Sequence, residues 1–141
     1  MMKTFASILL VAAALLLGSA AQAQDLRVKA SIPFDFVLGD KIYPAGVYMV
    51  QRAPIGDGSV VTLRDVESQK VRNAITNACT APKTPEATTL VFDKLGEQYF
   101  LRQIWVAGNT SGREFPTSKS ETRMAANYEK SEVIVAANLI H

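Results

Sequence analysis

The chain has 141 residues, with 15 basic and 13 acidic side chains and a formal net charge of +2. That length matches one ordinary domain, able to bury a core without help from disulfides. So even a balance, with no Lys/Arg-rich block, lacks the basic footprint that phosphate neutralisation demands, so nucleic acid is excluded as a partner.

The first predicted element is a leader. In "MMKTFASILLVAAALLLGSAAQAQDL" Lys3 gives a positive start, Phe5 to Leu17 an apolar stretch, and Ala21-Gln22-Ala23 the small residues that flank a scissile bond. A secretory signal peptide over residues 1–23 is expected, cleaved after Ala23. The apolar run is too short for a hydrocarbon core of about 30 Å and polar Ser19 and Gln22 follow it, which argues against an uncleaved anchor. Gln24, where a lipid anchor would need cysteine, argues against a lipoprotein. The expected mature chain, residues 24–141, is a single soluble β-rich domain with no stable membrane insertion, periplasmic or extracellular. Of the charges, only Lys3 is lost with the leader.

From Leu26 to Leu38 the even positions read Leu, Val, Ala, Ile, Phe, Phe and Leu, and the odd ones are mostly polar. This period of two predicts a strand with one face in a core, at an edge or broken at Pro33, which has no amide to donate. Gly39-Asp40 then turns the chain. In "KIYPAGVYMVQR" Pro44 presets one corner of a turn and Gly46 is expected in the left-handed conformation, ahead of a strand over Val47 to Arg52. "APIGDG" is another reversal, "SVVTLRDV" a strand, and "VRNAITNAC" a further strand with Val71, Ile75 and Cys79 on one side. "TAPKTPEAT" reads as a surface connection.

The strongest hairpin follows, "TTLVFD" and "QYFLRQIWV" joined by the four residues "KLGE". Large apolar groups at both parities make the second arm a central strand, with Tyr99 and Trp105 on one face. "AGNTSGREFP" breaks the alternation. Ser118 and Glu121 then fit a capping box, in which the hydroxyl accepts from the amide of residue 121 and the carboxylate reaches back to the amide of residue 118. A helix of about twelve residues is expected, with Met124 and Tyr128 facing the core together, and "SEVIVAANLI" ends the chain as a strand. About seven strands with regularly spaced turns predict a mainly β fold, an antiparallel sandwich or small barrel with one C-terminal helix.

Chemistry concentrates in "SGREFPTSKSE", residues 111–121. An active-site reading makes Arg113 an anion clamp, Glu114 a general acid or base, and Ser118 with Lys119 a nucleophile and its activator. The structural reading assigns Ser118 and Glu121 to the cap and Phe115-Pro116 to docking a loop, and adjacent Ser and Lys in a first helical turn point apart. No catalytic residue is therefore assigned. Asp35, Asp40, Asp57, Asp65, Asp93 and Glu97 sit in or beside predicted turns, where solvated carboxylates are ordinary, and no pair stands out for glycoside hydrolysis. Cys79 is the only cysteine and His141 the only histidine, at the last position. No disulfide within the chain, no metal site and no cofactor is expected. Cys79 reads as a small buried apolar residue, with an intermolecular disulfide or reactive thiol as the alternative. Tyr99, Trp105 and Arg113 are the candidate ligand-binding residues, for a carbohydrate or peptide, since Tyr99 and Trp105 could form a stacking platform.

"IPFDFVLGDKIYPAGVYMV", "FDKLGEQYFLRQIW" and "GREFPTSKSE" together resemble a group of small exported bacterial proteins of unassigned function. That group carries an IPF-x-F segment, a PAG-x-Y turn, a YFL-x-Q-x-W strand and a G-R-E-x-P-x-S-x-x-E helix start. The resemblance covers most of the mature chain and implies a shared exported β-rich domain, with no catalytic residue to carry over. The functional expectation is a non-enzymatic binding or structural module of the cell envelope. The alternative is a small carboxylate- or serine-dependent hydrolase with a site near residues 113–121.

Overall fold

Leu26, Val28, Ala30 and Ile32 are buried and Arg27, Lys29 and Ser31 between them are exposed, so the two-residue period builds strand β1 (Arg27–Ile32) with one face in the core. The computed structural model describes residues 26–140; the signal peptide expected over 1–23 and the terminal His141 lie outside the described residues. Beyond Pro33 come β2 (Phe36–Leu38), β3 (Lys41–Tyr43), β4 (Gly46–Arg52), β5 (Val60–Asp65), β6 (Val71–Ile75) and β7 (Asn77–Thr80). The hairpin β8 (Thr89–Leu95) and β9 (Gln98–Trp105) follows, then β10 (Ser111–Glu114), helix α1 (Lys119–Ala125) and β11 (Lys130–Leu139).

The strands hydrogen-bond into one sheet in the order β3-β2-β9-β8-β11-β1-β4-β5-β6, with β10 joining β7 to β9 off that path. Every pairing is antiparallel except β2 on β9. The sheet curls into an open half-barrel. Phe36 on β2 and Tyr48 on β4 are far apart in strand order, yet their rings meet edge to face at 5.1 Å. Both side chains are fully buried, with Phe92 and Tyr43 completing the ring cluster at 5.6 and 5.5 Å from Phe36. Burial of such rings, at about 25 cal/mol per Å² of apolar surface, draws the two ends of the sheet together.

The described residues hold eleven strands where about seven are expected, for three local reasons. Pro33 splits the first predicted strand into β1 and β2, and buried Thr76 bends "VRNAITNAC" into β6 and β7. The short strands β3 and β10 lie in segments read as turn or irregular chain, because three or four residues are too few to show a period. Gly46 is not left-handed; it opens β4 opposite Ile32. The hairpin loop is Gly96-Glu97 alone, since Leu95 pairs with Gln98, and Gly96 takes φ 60° as the first residue of a primed turn does.

Helix α1 is seven residues long, not about twelve. Met124 packs beneath it on Val37, Leu95 and Phe100, a small second core outside the half-barrel. Tyr128 falls after the helix, where the amides of Asn127 and Tyr128 donate to Met124 O, and its ring lies exposed over Gly96 instead of sharing the core with Met124.

Candidate functional site

Tyr99, Trp105 and Arg113 do not converge. A β-bulge in β9 places Val91 opposite Gln103 but Phe92 opposite Leu101, so Arg102 is the extra residue. Leu101 and Ile104 consequently share the main core, Tyr99 packs with them, and Trp105 turns to the other side. The common face expected for Tyr99 and Trp105 is lost by that one-residue insertion. Tyr99 stacks on Phe34 at 3.8 Å and 14°, with the Lys94 ammonium 5.4 Å from its ring centre.

Trp105 lies flat on Gly112 of β10: a Cβ there would sit 2.5 Å from Trp105 Cε3. Its Nε1 donates to Gln103 Oε1 at 3.2 Å, and Gln103 Nε2 donates to Glu114 Oε1 at 3.2 Å. Arg113 is spent on the β6–β7 corner, donating from Nε to Thr76 Oγ1 (2.8 Å) and from Nη2 to Thr76 O (2.9 Å). Burial raises the pKa of the half-buried Cys79 thiol on β7 above its ordinary value, and the Glu114 carboxylate adds to this.

At the helix start, Ser118 Oγ accepts from the Glu121 amide at 3.1 Å, as a cap should, and lies 3.1 Å from Ser120 Oγ. Glu121 does not return the bond to the Ser118 amide. Its carboxyl is buried and turned toward Asp93 on β8, which the sequence pattern groups with solvated turn carboxylates. The shorter hairpin loop leaves Asp93 inside the strand, under the helix. Arg102 Nε approaches Asp93 Oδ1 at 3.0 Å and reaches Glu132 Oε2 through Nη2 at 3.0 Å, while Lys130 Nζ is 3.6 Å from Asp93 Oδ2. Asp93 Oδ2 is buried and accepts no bond from a fixed donor. Burial, then the hydrogen bond to Asp93 and its charge, push the Glu121 pKa up to about 7. A proton on Glu121 would supply the donor that Asp93 Oδ2 lacks.

A wide concave surface lies elsewhere, where the two ends of the sheet face each other. The bond that crosses it is Arg72 Nη2 to Asp40 Oδ1, 3.4 Å long, joining β6 to the β2–β3 turn. On one side of that bridge is a cleft of about 810 Å³, bordered by Leu38, Ile75, Phe115, Pro116, Lys119 and Arg123. On the other is one of about 510 Å³, bordered by Ile42, Tyr43, Tyr48, Lys70 and Val71, and Arg72 borders both. Tyr48 closes the floor of the second, donating its hydroxyl to Pro44 O at 2.5 Å; burial and then Asp65 raise its pKa to about 12.

Three large apolar side chains stand exposed along this seam: Ile42 (70%), Val71 (59%) and Ile75 (69%). Among the described residues the backbone beside them is free as well. Asp65 N–H bonds Lys70 O at 3.0 Å and Thr76 N–H bonds Ser59 O at 2.8 Å, which fixes the alternation along the β5–β6 ladder. The amides and carbonyls of Val71, Asn73 and Ile75 therefore point away from β5, into the seam. Sequence reasoning missed this edge because "VRNAI" looks like any half-buried strand. The one signal available was Val71 and Ile75 on a common side with polar Asn73 between them.

No protein-family model, no curated protein and no solved structure matches the chain. The class is therefore defined by the geometry itself: a curled β module, open along one seam, with a strand edge unpaired among the described residues and apolar side chains beside it.

Proposed function

We propose that the chain is an exported, non-enzymatic binding module of the bacterial cell envelope, and that it takes its ligand in the seam between β3 and β6. The finer shape in this reading is a small barrel left open along that seam. Export rests on the leader-like residues 1–23. One observation carries the choice of site: a free strand edge, exposed apolar side chains and a concave wall of cations meet at the same place. Tyr99, Trp105 and Arg113 then belong to the frame, each engaged by Phe34, Gly112 or Thr76.

Geometry supports binding over hydrolysis at residues 113–121. Ser118 Oγ is held by the cap, Glu114 accepts from Gln103, and Glu121 turns inward to Asp93, so no base is aimed at a nucleophile. Neither Asp93 nor Glu121 borders the two clefts.

The test is backbone chemical-shift mapping on residues 24–141 with panels of short peptides and oligosaccharides. Shifts centred on Val71–Ile75 and Phe115–Arg123 are expected. Shifts confined to Tyr99 and Trp105, or turnover of an ester or glycoside that Ser118→Ala abolishes, would overturn the reading.

A further inference from the structure

Resting on that seam, we infer the partner: an extended polypeptide segment, alternating apolar and acidic residues, that adds to the free edge of β6 as a further strand. Sheet edges are completed this way because the incoming backbone satisfies donors and acceptors that otherwise face water. The pattern of its side chains follows from that of β6. Val71, Asn73 and Ile75 lie on the exposed face, whereas Arg72 and Ala74 are half-buried on the core side, opposite buried Leu63 and Val61 of β5. A paired strand presents alternate residues to those two faces, so one set meets Val71 and Ile75 and the other meets Arg72.

Charge decides the second set. Five cations, Arg72, Lys119 and Arg123 among them, border the two clefts against two carboxylates, Asp40 and Asp65. Asp65 is already engaged, its Oδ1 accepting from the amides of Glu67 (2.9 Å) and Ser68 (3.3 Å). Asp40 holds Arg72 only loosely, through one contact at 3.4 Å with a carboxylate whose side chain is 89% exposed. Such a pair adds little to stability. Arg72 Nε, meanwhile, is buried with no hydrogen-bond partner. A partner carboxylate arriving from the strand side takes Arg72 in two-pronged fashion, which Asp40 does not, and displaces it. Apolar partner residues cover Val71 and Ile75.

The experiment uses the full mature chain and a blocked synthetic octapeptide of alternating valine and glutamate, read by fluorescence anisotropy and amide shifts. Binding with shifts at Val71, Asn73 and Ile75 is expected. It should weaken by about tenfold or more with valine-lysine in place of valine-glutamate, with alternate backbone nitrogens methylated, or with Asn73→Pro. That proline removes a seam-facing amide and spares the backbone bonds to β5, losing only the 2.7 Å bond that Thr62 Oγ1 donates to Asn73 Oδ1. If circular dichroism shows Asn73→Pro unfolded, Lys119→Glu with Arg123→Glu, both exposed on α1, takes its place and should cost binding severalfold at low salt.

Equal binding of the methylated peptide overturns edge pairing and leaves the seam as a ligand site. Equal binding of the lysine peptide overturns the acidic partner. An oligosaccharide that shifts the seam when the peptides do not overturns the polypeptide class alone. Self-association that Asn73→Pro abolishes makes a second copy the occupant and overturns the inference. Silence of the seam toward every probe removes this inference and the proposed function together.

Discussion

Glu121 and Asp93 form a buried carboxyl pair, 7% and 1% exposed, in which burial and the neighbouring Asp93 raise the pKa of the helix residue to about 7. The pair pins α1 onto β8. Because α1 also lends Lys119 and Arg123 to the wall of the larger cleft, this contact sets where that wall stands.

The pair makes stability fall as pH rises. The folded-state pKa of Glu121 is raised from the ordinary 4.5 to about 7, so between those values the folded state binds more protons than the unfolded one. Its contribution is fully present below pH 4.5 and is lost as pH climbs through about 7. Urea unfolding of the wild type and Glu121→Gln across pH 4 to 8 checks this: the amide keeps a donor toward Asp93 without titrating, so the difference between the curves should bend in that window. Parallel curves would show that the proton is not shared there.

Removing Asp93 should cost far more than removing a surface carboxylate. Asp93→Ala leaves Arg102 without its partner at 3.0 Å and Glu121 buried without an acceptor. A loss of about 3 kcal/mol in the urea-derived unfolding free energy is expected, the order seen when one partner of a buried ionic cluster is deleted. Asp40→Ala, at the exposed end of the seam bridge, should change it by less than about 1 kcal/mol while speeding hydrogen exchange at Arg72 and Ala74, whose amides bond to β5.

Gly112→Ala tests the Trp105 packing. The added Cβ would sit 2.5 Å from Trp105 Cε3 and 2.8 Å from Ile104 O, and the backbone oxygen cannot swing aside. A destabilisation of about 1–3 kcal/mol is expected, with a red shift of the tryptophan emission as the ring is pushed into water.

Arg113→Ala separates a corner clamp from a ligand residue. Loss of the two bonds to Thr76 should lower stability by about 2 kcal/mol and raise hydrogen exchange across the β6–β7 corner. Unchanged stability combined with lost ligand binding would return Arg113 to the role its sequence context suggests.

The segments "IPFDF", "PAG", "YFLRQIW" and "GRE" find their use in one another. Asp35 of "IPFDF" accepts from the amide of Ala45 in "PAG" at 2.8 Å, and Phe36 meets Tyr48. Gln103 and Trp105 of "YFLRQIW" engage Glu114 and Gly112 of "GRE". Glu121 of the helix start meets Asp93 of "FDK". Reactive-looking letters cluster there because three tertiary contacts need polar groups.

What the sequence determined alone was local: the buried alternation of β1, the break at Pro33, the strands around "TTLVFD" and "QYFLRQIW", and the Ser118 cap, all set by residues within a turn or a pleat of each other. Only the tertiary structure decided that Asp93 is buried, that Tyr99 and Trp105 lie on opposite sides of β9, and that among the described residues the edge of β6 stands unpaired across from β3. Each of those depends on what a distant strand places alongside. One inserted residue in a ladder reverses every side chain after it, and whether a strand edge is covered is a property of its neighbours, which its own residues do not encode.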